Sequence, residues 1–195
     1  IVSNASCTAH CLAPVASILH EAFGIRRGFA TAIHAYTNAQ RLADVPAGEL
    51  RRSRAAAENI IPSDTRAHEL VMKLIPALAG RLGGLAVNVP VPDGSVVDLV
   101  VQVERPADAA AVNDALRAAA ASRLAGVLAY ETAPIVSSDV IGDPHSAIVD
   151  SLATMATGGD LVKVLAWFDN GWGYASRVVD LAGRLAALGA PEPAR

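Results

Sequence analysis

The chain is poor in cysteine: Cys7 and Cys11 are the only two in 195 residues. Two cysteines four positions apart make no disulfide framework and suit a reducing compartment. No apolar run is long enough to span a bilayer. No segment has the basic start and apolar middle of a signal peptide, so a cytoplasmic setting and no membrane partner are expected. Positive charge is not in excess. The formal net charge is −3, and the basic residues are scattered apart from Arg51-Arg52-Ser53-Arg54. That balance gives no reason to expect nucleic acid as a partner. Neither G-x-G-x-x-G nor a P-loop occurs, so the fingerprint that would hold a dinucleotide is missing. Internal repeats, low-complexity segments and clear linkers are missing too. What is there is 52% hydrophobic and 18% charged, a globular composition sufficient for one sizeable domain or two small ones. The abrupt opening on Ile1-Val2 reads as a chain cut from something longer.

One stretch organises the rest: Ser3-Asn4-Ala5-Ser6-Cys7-Thr8-Ala9-His10-Cys11. After it, Leu12, Val15, Ile18, Leu19, Ala22 and Phe23 recur at helical spacing, which predicts a helix over 7–22 with Gly24 as its C-cap. Ser6 or Asn4 serves as N-cap, so Cys7 falls in the first turn. Unpaired amides and the positive end of the helix dipole gather there; they favour a thiolate and can hold an oxyanion. On local sequence alone, Cys7 reads equally well as a small apolar residue opening a core helix.

Farther along, residues 27–37 read as a strand ending near His34. Residues 38–58 are polar and irregular, a long excursion of the kind that carries function or subunit contacts. Asn59-Ile60-Ile61-Pro62 is a short apolar run into a turn. Residues 63–66 cap a helix over 67–78, and such a helix start either binds an anion or is an ordinary cap. Segments 85–90 and 95–103 alternate at period two around Pro92-Asp93-Gly94, which predicts a hairpin or bent antiparallel ladder. A helix over 108–121, extended segments at 134–138 and from 147, a buried strand at 161–168 and a closing helix over 174–188 follow. Residues 189–195 read as a loose tail. The pattern predicts an α+β fold with a largely antiparallel mixed sheet covered by helices.

A lone histidine such as His34 at the end of an apolar strand is more often structural than catalytic. His10 and His145 sit in polar surroundings, where surface roles are the default. The spacing of Cys7, His10 and Cys11 matches no common zinc signature, so no metal is expected.

Read together, the motifs carry more. Ser3-Asn-Ala-Ser-Cys7-Thr-Ala-His-Cys11-Leu-Ala-Pro14 resembles the active-site signature of phosphorylating glyceraldehyde-3-phosphate dehydrogenases, typically A-S-C-T-T-N-C-L-A-P. The resemblance continues in order through His34-Ala-Tyr-Thr-Asn38, Leu50-Arg-Arg-Ser-Arg54, Asn59-Ile-Ile-Pro62, Val89-Pro-Val-Pro92, Ser95-Val-Val-Asp-Leu99, Asp143-Pro-His-Ser146 and Trp167-Phe-Asp-Asn-Gly-Trp-Gly-Tyr174. It implies residues 1–188 as a catalytic domain, with Cys7 as nucleophile and His34 as base. It also implies NAD or NADP as cofactor, held mainly by an N-terminal Rossmann domain that this sequence does not contain. Ser6, Thr8, Thr37, Arg52 and Thr65 match positions that contact the substrate phosphate or inorganic phosphate. Asn170 and Tyr174 match positions beside the nicotinamide. The segment Tyr36–Arg54 resembles a loop that packs between subunits of a tetramer, which together with the sheet implies a homotetramer.

Departures accompany the resemblance. Asn88 stands where the family carries an arginine that clamps the substrate phosphate, and Arg66 stands where a glycine follows Thr65. An arginine at 66 is a compensating cation for the phosphate site or a solvent-facing side chain. Gly171 replaces a glutamate and His10 an asparagine. Asp64-Thr65-Arg66 and the stretch 143–150 look closer to erythrose-4-phosphate dehydrogenase. The implied substrate is therefore glyceraldehyde 3-phosphate with inorganic phosphate, with erythrose 4-phosphate or another aldose phosphate as the alternative. A catalytically weak oligomerising or regulatory paralogue is the reading from a different class.

Overall fold

The computed structural model describes residues 1–189. Helix α1 spans Cys7–Phe23, and strand β1, Ile25–Ala35, follows after one residue. That residue is Gly24, at φ 73°, whose N–H donates to His20 O at 2.8 Å. Glycine enters this left-handed region at no steric cost, which lets helix and strand meet at a sharp corner. The remaining elements are β2 (Ile61–Ser63), α2 (Ala67–Leu74), β3 (Leu82–Val89), β4 (Ser95–Val103), α3 (Ala109–Ala120), β5 (Leu128–Glu131), β6 (Ala147–Thr157), β7 (Leu161–Phe168) and α4 (Trp172–Gly189).

The strands form one mixed sheet in the order β2-β3-β1-β4-β7-β6-β5. Pairings β3-β1 and β6-β5 are parallel and the other four antiparallel, so the α+β reading with a largely antiparallel sheet holds. Helices α1, α2 and α3 pack on one face. Leu12, Val15, Leu19, Val97, Leu99, Val101, Val162, Val164 and Phe168 fill the core between them. The other face carries Phe29, Leu85, Leu152, Met155 and Leu161 exposed.

The expected hairpin between 85–90 and 95–103 does not form. Strand β1 lies between β3 and β4, pairing with β3 in parallel from Gly28↔Leu82 to Ala35↔Val89, and with β4 antiparallel from Gly28↔Val101 to Ile33↔Val96. The Pro90–Gly94 connection is long enough to step over one strand, a gap of roughly 10 Å. Gly94 (φ 80°) lets it do so: a Cβ there would lie 2.0 Å from the Ser137 carbonyl oxygen. This topology puts the end of β1, and with it His34, in the middle of the sheet.

Other boundaries moved for local reasons. Helix α2 ends at Leu74 because Pro76 opens a separate 3₁₀ turn, Pro76–Leu78. The segment expected to be extended at 134–138 runs into a 3₁₀ turn, Ser137–Val140. Helix α4 starts two residues earlier than expected, where Asp169 Oδ1 accepts from the N–H groups of Gly171 and Trp172 at 2.8 and 2.6 Å. It runs to Gly189, and the rest of the expected tail lies outside the described residues. No helix among the described residues is long and apolar enough to cross a membrane.

Candidate active site

Cys7 is the first residue of α1. Ser6 caps the helix, its Oγ accepting from Ala9 N at 3.1 Å. Just before it, Ala5 sits at φ 53°, the one positive φ at a non-glycine among the described residues. Backbone strain of this kind persists where the surroundings hold it, and it is concentrated at functional sites. Here it turns the chain so that the Cys7 side chain meets the end of β1. Cys7 Sγ lies 3.5 Å from His34 Nε2.

The far side of the His34 ring settles its proton arrangement. Nδ1 lies 2.6 Å from Ala35 O. A carbonyl only accepts, so Nδ1 carries a hydrogen, and in the neutral ring Nε2 presents a lone pair to the thiol. The ring is braced edge-on by Phe168, with centroids 5.9 Å apart at 71°. Ala35 N in turn donates to Ser95 Oγ at 3.0 Å, and Ser95 Oγ donates to Asn170 Oδ1 at 2.9 Å. Asn170 is fixed because Asp169, buried beside it, also takes Gly142 N–H on Oδ2 at 2.8 Å. Sequence reading missed Ser95 and Asp169 as supports. The Asp-Asn-Gly-Trp-Gly break before α4 held the signal for Asp169, since an aspartate there is a natural helix cap.

The electrostatics of Cys7 differ from expectation. Burial pushes its thiol up. The Thr8 hydroxyl and the Thr8 and Cys7 amides pull it down without cancelling the burial. A helix start lowers a thiol's pKa only where the thiol stays solvated, and Cys7 is packed against the core. Cys11 is different again. It is fully buried, its Sγ donates to Ala166 O at 3.4 Å, and burial, reinforced by Cys7, drives its pKa well above the ordinary range.

These environments set an alkylation experiment. Iodoacetamide should modify Cys7 and leave Cys11 untouched in the folded chain up to pH 9. His34→Asn should move the Cys7 rate–pH curve about one unit or more upward, because the imidazole can take the thiol proton and hold the thiolate as an ion pair, which asparagine cannot. An unshifted curve, or equal labelling of both cysteines, would contradict this pairing.

A cleft of about 190 Å³ opens beside the pair, its wall including Thr8, His34, Thr37, Arg52, Thr65 and Asn88. Six of the residues singled out in the sequence thus meet in one place. Gln40 and Asp64 also line the cleft and were not foreseen. Ser6 spends its hydroxyl on the cap. Arg66 does not line the cleft: its exposed Nε lies 3.2 Å from Glu69. This is the solvent-facing alternative, and the Glu69 partner at i+3 was readable in advance. Two larger hollows, of about 800 and 340 Å³, include neither Cys7 nor His34. No group of three or more His, Cys, Asp or Glu side chains among the described residues is arranged to hold a metal ion.

Asn170 and Tyr174 lie on the β7–α4 side. With its oxygen taken by Ser95, the Asn170 amide keeps its NH₂ group for a ligand carbonyl. The Tyr174 ring stacks on His10 at 5.5 Å and 19°, and its carbonyl accepts from Asn4 Nδ2 at 3.4 Å. His10 is therefore not the surface residue its neighbours suggested: burial, with Arg177 nearby, pushes its pKa down.

A family model described as "Glyceraldehyde 3-phosphate dehydrogenase, C-terminal domain" matches residues 6–170. The chain belongs to the glyceraldehyde-3-phosphate dehydrogenase family. It is 51% identical over 189 residues to a Geobacillus stearothermophilus glyceraldehyde-3-phosphate dehydrogenase, covering 97% of the chain and 56% of that relative. It is 52% identical over 181 residues to glyceraldehyde-3-phosphate dehydrogenase 2 of Streptomyces avermitilis (93% and 54%). Against a Mycobacterium avium glyceraldehyde-3-phosphate dehydrogenase it is 51% identical over 181 residues (93% and 53%). The chain spans about half the length of these curated relatives.

Proposed function

We propose that this chain is the catalytic domain of an enzyme that oxidises glyceraldehyde 3-phosphate to an acyl phosphate. Cys7 serves as nucleophile and His34 as base. The observation that carries the reading is the Cys7–His34 pair, Sγ 3.5 Å from Nε2 with Nδ1–H committed to Ala35 O. That arrangement makes His34 able to take the thiol proton and return it.

The steps follow from those atoms. His34 Nε2 draws the proton from Sγ as sulfur adds to the aldehyde carbon. The C–S bond forms, the carbonyl π bond breaks and its oxygen receives the proton, giving a thiohemiacetal on Cys7. His34 then holds the hydroxyl proton as the carbon–oxygen double bond re-forms and a thioester results. Bound NAD or NADP would supply the hydride acceptor. Attack by inorganic phosphate releases Cys7. The first amides of α1 are suited to stabilise the oxygen of each addition. Thr8, Thr37, Arg52 and Thr65 contribute hydroxyl or guanidinium donors for phosphate, while Ser6 keeps its hydroxyl on the helix cap. Asn170, through its free NH₂, suits a carboxamide oxygen, and Tyr174 stacked on His10 suits a flat ring. Arg66, bound to Glu69 outside the cleft, is given no part.

The uncovered sheet face, with exposed Phe29, Leu85, Met155 and Leu161, and the segment 36–54, with exposed Leu42, Val45 and Leu50, support a homotetramer. Free Cys7 and Cys11 support action in the reducing cytoplasm.

Because residues 1–195 contain no dinucleotide fingerprint, the purified chain with substrate, NAD and phosphate should produce no NADH above the blank. A fusion to the N-terminal portion of the Geobacillus stearothermophilus relative should restore phosphate-dependent NADH production. Steady turnover by the chain alone, or a fusion that binds NAD and stays inert, would refute the proposal.

A further inference from the structure

The cleft beside Cys7 and His34 carries no net charge on its wall. The ionised side chains lining it are Arg52 and Asp64, one of each sign. Arg52 is already engaged, its Nε 3.1 Å from Glu49. Two further arginines, Arg54 and Arg66, are paired as well. Arg54 pairs with Asp44 at 3.4 Å and Arg66 with Glu69 at 3.2 Å, and all four side chains are exposed.

The rest of the wall offers neutral donors. Asn88 sits in register opposite His34 on the adjacent strand, its Nδ2 reaching Ala35 O at a long 3.4 Å. Gln40 accepts from Thr37 N on Oε1 at 3.0 Å, while its Nε2 is buried and meets no partner. A buried amide nitrogen without an acceptor is costly. A ligand oxygen in the cleft removes that cost. A phosphoryl dianion brought here leaves its hydration shell and finds one guanidinium, already shared with Glu49 and offset by Asp64. Hydroxyl groups give up far less hydration and can accept from Gln40, Asn88 and Thr37.

We propose that this site accepts short hydroxyaldehydes whose far end is an uncharged hydroxyl as readily as phosphorylated ones. The inference rests on the reading of Cys7 as an aldehyde-binding nucleophile. In it, Asn88 and Gln40 recognise hydroxyl oxygens where an arginine would select for phosphate by charge.

Thiohemiacetal formation is a direct assay. The Cys7 S–H adds across the aldehyde C=O; sulfur bonds to carbon and the proton reaches oxygen by way of His34. No oxidant is consumed, so the 195-residue chain suffices. Cys7 is alkylated with iodoacetamide in the presence of glyceraldehyde or glyceraldehyde 3-phosphate at matched ionic strength. The half-protecting concentrations of the two aldehydes should agree within about threefold. Asn88→Arg should shift their ratio toward the phosphate ester by about tenfold or more. Gln40→Leu should weaken protection by glyceraldehyde several-fold. A wild-type chain protected by the phosphate ester at concentrations about tenfold or more below those of glyceraldehyde would overturn the inference. If neither aldehyde protects Cys7 while Cys11 stays inert, the nucleophile reading itself fails, and the inference with it.

Discussion

Cys7→Ser should keep the fold and lose aldehyde oxidation by roughly 10⁴–10⁶-fold, the scale seen when a covalent nucleophile is removed. Serine is smaller than cysteine by little and keeps a polar hydrogen toward His34 Nε2, so packing against α1 and the core changes slightly. Chemistry changes greatly. An alcohol stays protonated at neutral pH, and an oxygen ester is a poorer acyl donor to phosphate than a thioester. The measurement is single-turnover NADH formation in the fusion that supplies the dinucleotide-binding half, with circular dichroism to show that the variant is folded. A Cys7→Ser rate within about tenfold of the parent would mean that no covalent step on Cys7 limits the reaction.

His34→Asn should slow thioester formation by roughly 10²–10⁴-fold. Asparagine fills part of the ring's volume beside Phe168 but offers no titrating nitrogen 3.5 Å from the sulfur. Its effect should depend on pH. Burial already pushes the Cys7 thiol up. Without His34 the thiolate fraction near pH 7 therefore falls, and raising the pH recovers the lost rate in part, as the thiol ionises unaided. The base function does not return, so the curves should converge without meeting. A variant whose rate matches the parent at every pH would remove His34 from the mechanism.

How much of this was legible in advance depended on range. Helix α1 was readable with its cap Ser6 and its stop Gly24, because capping and 3.6-residue periodicity are local. So were β4, from its period-two alternation, and β7, from its apolar run, although alternate residues of β7 turn out to be buried. The pairing partners of β1 were not readable. Its insertion between β3 and β4 depends on residues about sixty positions apart, and the Pro-Asp-Gly turn that looked like a hairpin serves a crossing instead. Strand β5 is four residues long and leaves no periodic trace. Asp150 shows a similar limit. It reads as an ordinary acid in an extended segment, yet it is buried, takes Trp167 Nε1–H at 3.1 Å and braces the irregular middle of β6.

The site divides the same way. Cys7, His34, Thr8, Thr37, Arg52, Thr65 and Asn88 were recognisable as motif members, and the fold gathers all but Cys7 onto one cleft wall with Cys7 in contact through His34. The direction of the Cys7 pKa was not recognisable, since desolvation arises only when the core closes over the thiol. Gln40 escaped notice because nothing local marks a glutamine whose amide nitrogen will be buried without a partner. Arg66 suggested an anion site from its place before α2. Its actual partner, Glu69, lies one turn along the same helix and draws it away.

The central claim is that an acyl group passes through Cys7. The most direct measurement is mass spectrometry of the fusion protein quenched in acid after reaction with glyceraldehyde 3-phosphate and NAD in the absence of inorganic phosphate. The account predicts a stoichiometric acyl adduct on the peptide containing Cys7, confined to that cysteine, appearing together with one equivalent of NADH and discharged when phosphate is added. NADH formed with no adduct on Cys7, or an adduct on Cys11 instead, would contradict it.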